Sequence, residues 1–146
     1  MKKYFVILSA LFLYLGTAGC KEENETLPDD TYIELKDLDV ETVQNLVQGK
    51  WEVISISGGL AGTTEKPADM YIEFIGTTVW CIIRSGSISD RTITKWEKAK
   101  DLTFGGGICL TIEGSFPILL VNLYNDTLHF RDMLYDGYNF NAVRVK

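Results

Sequence analysis

With 146 residues the chain has room for one domain and a leader, and its 20 acidic and 14 basic side chains give a formal net charge of -6. That balance repels phosphate backbones and anionic headgroups, so nucleic acid is not expected as a partner. One histidine and three cysteines leave little with which to build a metal centre or a nucleophilic site.

The first 19 residues have the grammar of an export leader. Residues 1–4 are basic, residues 5–15 apolar, and Gly16-Thr17-Ala18-Gly19 is a run of small residues ahead of Cys20. The apolar run is shorter than the ~20 residues of a bilayer-spanning helix, so no retained helical anchor is expected. An ordinary secretory signal cut near Ala18 would leave Cys20 incidental. A cysteine directly after Thr-Ala-Gly, however, resembles the lipobox of bacterial lipoproteins. The resemblance implies a diacylglycerol on the Cys20 sulfur, Cys20 as the mature N-terminus, and membrane contact through acyl chains. Lys21-Glu22-Glu23 resembles the surface-export signal of some Gram-negative lipoproteins, which implies an outer-membrane protein facing outward, with the periplasmic face as the alternative. Residues 20–36 are expected to be an acidic tether, because residues 21–30 are polar and without periodicity.

Residues 37–146 are expected to form the domain. From 37 to 48 the pattern is helical: Val40, Val43 and Val47 recur at helical spacing beside Leu46, Asp37 or Asp39 can cap the start, and Gly49 is a natural stop. So short a helix, rich in β-branched residues, does not hold alone and is expected to plug one end of the sheet that follows. Strands are predicted at 50–57, 70–75, 78–85, 90–98, 107–113, 117–124, 127–132 and 138–146. They are separated by turn chemistry such as Ser85-Gly86, Asn125-Asp126 and Asp136-Gly137. About eight short strands joined mostly by hairpin-length loops predict an all-β, up-and-down antiparallel barrel. No helix of crossover length intervenes, which disfavours parallel α/β architecture. Residues 118–123 are apolar on both faces, so one outward stripe of that strand should be covered.

A short helix, then Gly49 and Trp51 opening the first of about eight antiparallel strands, then Arg144 near the end, resembles the lipocalin superfamily. The resemblance implies that an arginine packs across the indole at the closed end of the barrel. More narrowly, the run from Gly49 to Thr64 resembles small lipocalin-like lipoproteins of anaerobic gut-type bacteria. In lipocalins the loop after the first strand lies over the open mouth, which makes residues 58–67, with Leu60 near the tip, either a gate or a plain surface loop. Physically, an arginine over a tryptophan face gains about 0.5–2 kcal/mol and ties the first strand to the last.

Chemistry is sparse. His129 points opposite Leu128 and Phe130 and reads as a surface residue without ligand partners. No Ser/His/Asp set or metal motif is present, and the glycines at 105–107 precede a strand rather than a helix, so no enzyme and no cofactor are expected. In a meander a whole strand separates Cys81 from Cys109, putting their backbones near ~10 Å apart. That exceeds disulfide reach, so both are expected to stay as thiols. Most aromatics, including Phe116 and Tyr124, read as core, while Tyr71, Trp96 and Tyr138, with Leu60, are the candidates for ligand contact. The chain is thus expected to be a lipid-anchored envelope protein, monomeric or part of a complex. Its barrel either binds a small apolar or amphipathic molecule or is filled and serves as a non-catalytic interaction module.

Overall fold

Alternating apolar and polar residues build ten strands, eight of which close on themselves. The structure, a computed structural model, describes residues 31–99, 106–134 and 136–146. The leader, Cys20, most of the expected tether, Phe104, Gly105 and Tyr135 lie outside the described residues. The strands are β1 (Tyr32–Glu34), β2 (Gly49–Gly58), β3 (Thr63–Glu65), β4 (Met70–Ile75) and β5 (Val79–Arg84), then β6 (Ser87–Ala99), β7 (Gly107–Ile112), β8 (Ile118–Tyr124), β9 (Thr127–Asp132) and β10 (Tyr138–Arg144). Antiparallel pairing runs β8-β7-β6-β5-β4-β2-β10-β9 and returns through β8–β9, giving the expected up-and-down barrel of eight strands. Closure removes the open edges that an eight-stranded sheet would otherwise expose.

Two hairpins turn on two residues with positive φ, Ser85-Gly86 and Asn125-Asp126. This is the backbone twist that matches right-handed strands. Register slips at Ile54, Thr94 and Val121 mark bulges in β2, β6 and β8, which bend the strands as a small barrel requires.

The helix α1 (Val40–Leu46) begins at Asp39, whose carboxylate accepts from the Thr42 backbone N–H at 2.8 Å and the Thr42 hydroxyl at 2.7 Å. That local cap satisfies a donor the helix leaves unpaired. Val43 and Val47 are fully buried and join the barrel core with Trp51 and Val53, so the helix stops one end of the barrel. It does not cover the outward stripe of β8. There Leu119 is buried beside Cys109 in register, and the Cys109 thiol meets the Met133 sulfur at 3.4 Å.

The folded unit begins before residue 37. β1 pairs with β8 through Tyr32↔Tyr124, Ile33↔Leu123 and Glu34↔Asn122, and Leu35 in the 3-10 turn that follows is fully buried. The physical reason is a gap: β7 covers β8 only at Ile118, Leu119 and Leu120, and β1 takes up the remaining edge. β3 does the same for β2. β4 pairs with β2 from Gly49 to Glu52, and β3 then pairs with Ile56, Ser57 and Gly58. The long connection after β2 therefore extends the wall rather than lying across the mouth, and its tip residue Leu60 is 91% exposed.

Candidate functional site

The two ends of the barrel differ in what faces inward. At the closed end Arg144 pairs in register with Trp51 across β10 and β2. Its guanidinium carbon lies 4.2 Å from the indole centroid. The same group donates to the carbonyls of Gln48, at 2.7 Å, and Leu46, while the Trp51 indole N–H donates to the Val47 carbonyl at 2.9 Å. All three carbonyls belong to the exit of α1, where backbone acceptors lack intrahelical partners and a cation is favoured. Gly49 follows at φ +95°, a conformation that glycine adopts without a Cβ penalty. Burial draws the Arg144 pKa below its usual value, and Asp126 acts in the opposite direction.

Above this end the interior is packed. Phe74, Trp80 and Phe130 are buried, with Phe74–Trp80 and Trp80–Phe130 centroids 5.2 and 5.8 Å apart in edge-on geometry. Phe140 stacks on Phe130 at 4.8 Å. Register places Met70, Ile82, Phe140 and Tyr138 on the same inner face, yet all four keep some exposure while Ile72 and Ala142 below them are sealed. The barrel is therefore solid at the closed end and through its middle, and open only as a shallow mouth.

Of the residues singled out from the sequence, Tyr138 is at that mouth. Its ring lies against Gly59, where an added Cβ would sit 2.9 Å from the phenol oxygen. Leu60 is at the rim. Tyr71 is elsewhere: it faces outward, with the Lys50 ammonium 4.4 Å from its ring centroid. Trp96 is lower in the wall, its indole N–H donating to the Thr77 carbonyl at 2.7 Å and its ring 6.2 Å from Phe74. Phe116 and Tyr124 are not core; they are 58% and 47% exposed.

Sequence reasoning passed over one inward residue, Arg91, which pairs in register across β6 and β5 with Trp80, an aromatic expected in the core and 3% exposed. Arg91 stands two positions before the buried Ile93, and that parity was the available signal. It also passed over an open groove of about 440 Å3 on the outer wall, lined by Tyr32, Asn122, Tyr124, Thr127, His129 and Asn141. His129 is half-buried there. Burial and then the Arg131 charge lower its pKa against a raising contact from Asn139.

The thiols stand apart, with β6 between β5 and β7: Cys81 pairs with Asp90, and Cys109 with Glu97. Burial, then Asp90 and Glu73, push Cys81 up to about 11, and burial raises Cys109 as well. Neither has the electropositive setting of a reactive cysteine. Among the described residues no three His, Cys, Asp or Glu side chains converge as a metal site, and no helix is long and apolar enough to cross a membrane. Compared with known proteins, the chain matches no family model, no curated protein and no solved structure.

Proposed function

We propose that the chain is a lipid-anchored envelope lipoprotein of lipocalin-like type, which holds a small apolar or amphipathic molecule in its barrel mouth and performs no catalysis on it. The observation that carries the reading is the set of inward apolar side chains left partly exposed, Met70, Ile82, Phe140 and Tyr138, above a sealed floor. Apolar surface held at the lip of a concave wall is the usual material of a small-molecule site. The filled middle limits the ligand to partial insertion. The anchoring half of the proposal rests on the Gly19-Cys20 junction and its leader.

Two measurements test the halves separately. Titration with the neutral fluorescent probe N-phenyl-1-naphthylamine should show saturable binding at one site. Ile82→Glu, which puts a charge among the lip residues, should abolish it; unsaturable binding that Ile82→Glu leaves unaltered sinks the mouth reading. Cys20→Ala should remove labelling by a clickable fatty acid and release the protein from membranes, and unchanged labelling sinks the lipoprotein reading.

The outer groove supports a second reading, an interaction module acting through its wall. Two half-exposed tyrosines with centroids 6.3 Å apart stand beside the amides of Asn122 and Asn141. In that case Tyr124→Ala and Asn141→Ala, rather than substitutions at the mouth, would weaken association with envelope components.

A further inference from the structure

We propose that the floor of the mouth is built to receive an oxyanion carried on a single apolar chain, with Arg91 and Trp80 as its donors. The inference rests on the mouth being the ligand site and specifies the head group that enters it.

Arg91 and Trp80 are direct cross-strand partners on the inner face. Trp80 is 3% exposed, and its indole N–H is buried without an acceptor among the described residues. Arg91 donates one N–H to the carbonyl of Gly114 at 2.9 Å, in the turn between β7 and β8. Its Nε is buried and likewise meets no acceptor. None of the ion pairs among the described residues includes Arg91. Its sequence neighbour Asp90 is on the opposite face, paired with Cys81, and across the barrel the Asp132 carboxylate accepts from the Tyr138 backbone N–H.

Buried donors of this kind are nearly always satisfied, because an unpaired one loses its bonds to water and gains nothing in return. Here two belong to directly paired residues of adjacent strands, one of them on a fixed positive charge. Such a pair suits an acceptor that brings negative charge and more than one lone pair. A neutral hydroxyl could meet the indole N–H but would leave the guanidinium charge unbalanced. Toward the rim the same wall continues with Ile82 beside Ser89 and Arg84 beside Ser87, all inward by register. Arg84 and Arg91 put two cations on this stretch of wall, while Glu65, paired with the inward Ile56, and Asp132, paired with Ile118, face inward from other strands. The head is therefore placed inward and the apolar chain outward, along Ile82, Met70 and Phe140. A fatty-acid carboxylate and a monoalkyl phosphate share this chemistry.

The test measures calorimetric affinity of the purified full chain for decanoate, decyl phosphate and decanol. Decanoate or decyl phosphate should bind at least about tenfold more tightly than decanol, the worth of a charge-assisted bond. Whichever acid is tighter identifies the source of the oxyanion. Arg91→Met should erase that preference, and Trp80→Phe, which keeps a ring, should reduce it in part. Far-UV circular dichroism checks that both variants are folded. Equal affinity for decanol and the two acids, or a preference that survives Arg91→Met, overturns the oxyanion site and leaves the mouth reading standing. Failure of all three ligands to bind overturns the mouth reading and this inference with it.

Discussion

At the closed end Arg144 faces Trp51 across two strands, and at the mouth Arg91 faces Trp80 across two others. The first pair is complete: the guanidinium covers the indole and caps two helix carbonyls, and the indole N–H takes a third. The second pair is held to one carbonyl and, among the described residues, has two buried donors left over. The same residue types in the same cross-strand relation thus serve two purposes. Where every donor is matched within the chain, the pair locks the fold. Where donors remain unmatched, it lowers stability and is poised for something from outside.

The sharpest way to break this comparison is at the lock. Trp51→Ala removes a fully buried indole and should cost about 3–5 kcal/mol in urea melts. Arg144→Ala removes the stacking cation and leaves helix carbonyls without donors, for a loss of about 1–3 kcal/mol. Arg144→Lys should recover only part, because an ammonium cannot stack and fork as a guanidinium does. In a double-mutant cycle, Trp51→Phe and Arg144→Ala should couple by more than about 0.5 kcal/mol; additive losses would mean that the contact does not stabilise the closure.

The wall between the two ends offers a pH test. The Cys81 thiol ionises near 9.0 in its ordinary state and about 11 when buried beside Asp90. Between those values the unfolded chain releases the proton first, so ionisation favours unfolding. Stability should hold below pH 9 and decline as pH rises toward 11, and Cys81→Ala should flatten that decline. His129 works in the acid direction: with its pKa lowered in the fold, the unfolded chain takes up the proton first. Stability should then fall below pH 6.5, and fall less in His129→Gln.

Arg91→Met sharpens the comparison at its other side. Removing an arginine whose buried Nε lacks an acceptor should leave stability unchanged or raise it by up to about 1 kcal/mol. A loss as large as that of Arg144→Ala would show that Arg91 is structurally matched after all. The smallest effect is expected at the Asn125-Asp126 turn, where two non-glycine residues hold positive φ. Asp126→Gly relieves one of them at the cost of a long ion pair with Lys146 and of the carboxylate's attraction for the Arg144 guanidinium. The opposed effects should leave stability within about 0.5 kcal/mol of the parent in the same melts.

The barrel was legible because alternation, turn dipeptides and strand count agree over most of residues 50–146. The short strands were not. Three residues of β1 or β3 carry no measurable period, and each forms because a neighbouring strand leaves an edge open. Among the ligand candidates, Tyr71 could have been rejected from alternation alone, since Met70 and Ile72 flank it on the other face. Trp96 could not, because the bulge at Thr94 shifts the parity of β6. Arg91 is readable as inward from its spacing to Ile93. That its Nε and the Trp80 indole find no acceptor among the described residues is a fact of three dimensions, set by where Gly114, Asp90 and Asp132 fall.

The docking of β1 also governs how the molecule can be held. The Asn125 backbone N–H donates to the Thr31 carbonyl, and the Arg144 N–H to that of Asp126, so the chain enters the barrel beside the lock and away from the mouth. Under the lipid anchor proposed on Cys20, the molecule would be held on the side of its closed end, like a cup from its base. Its rim, with Leu60, Tyr138 and Arg84, would then be turned away from the support. Ligands would arrive from the bulk side, with diffusion to the rim unhindered by the surface that holds the protein.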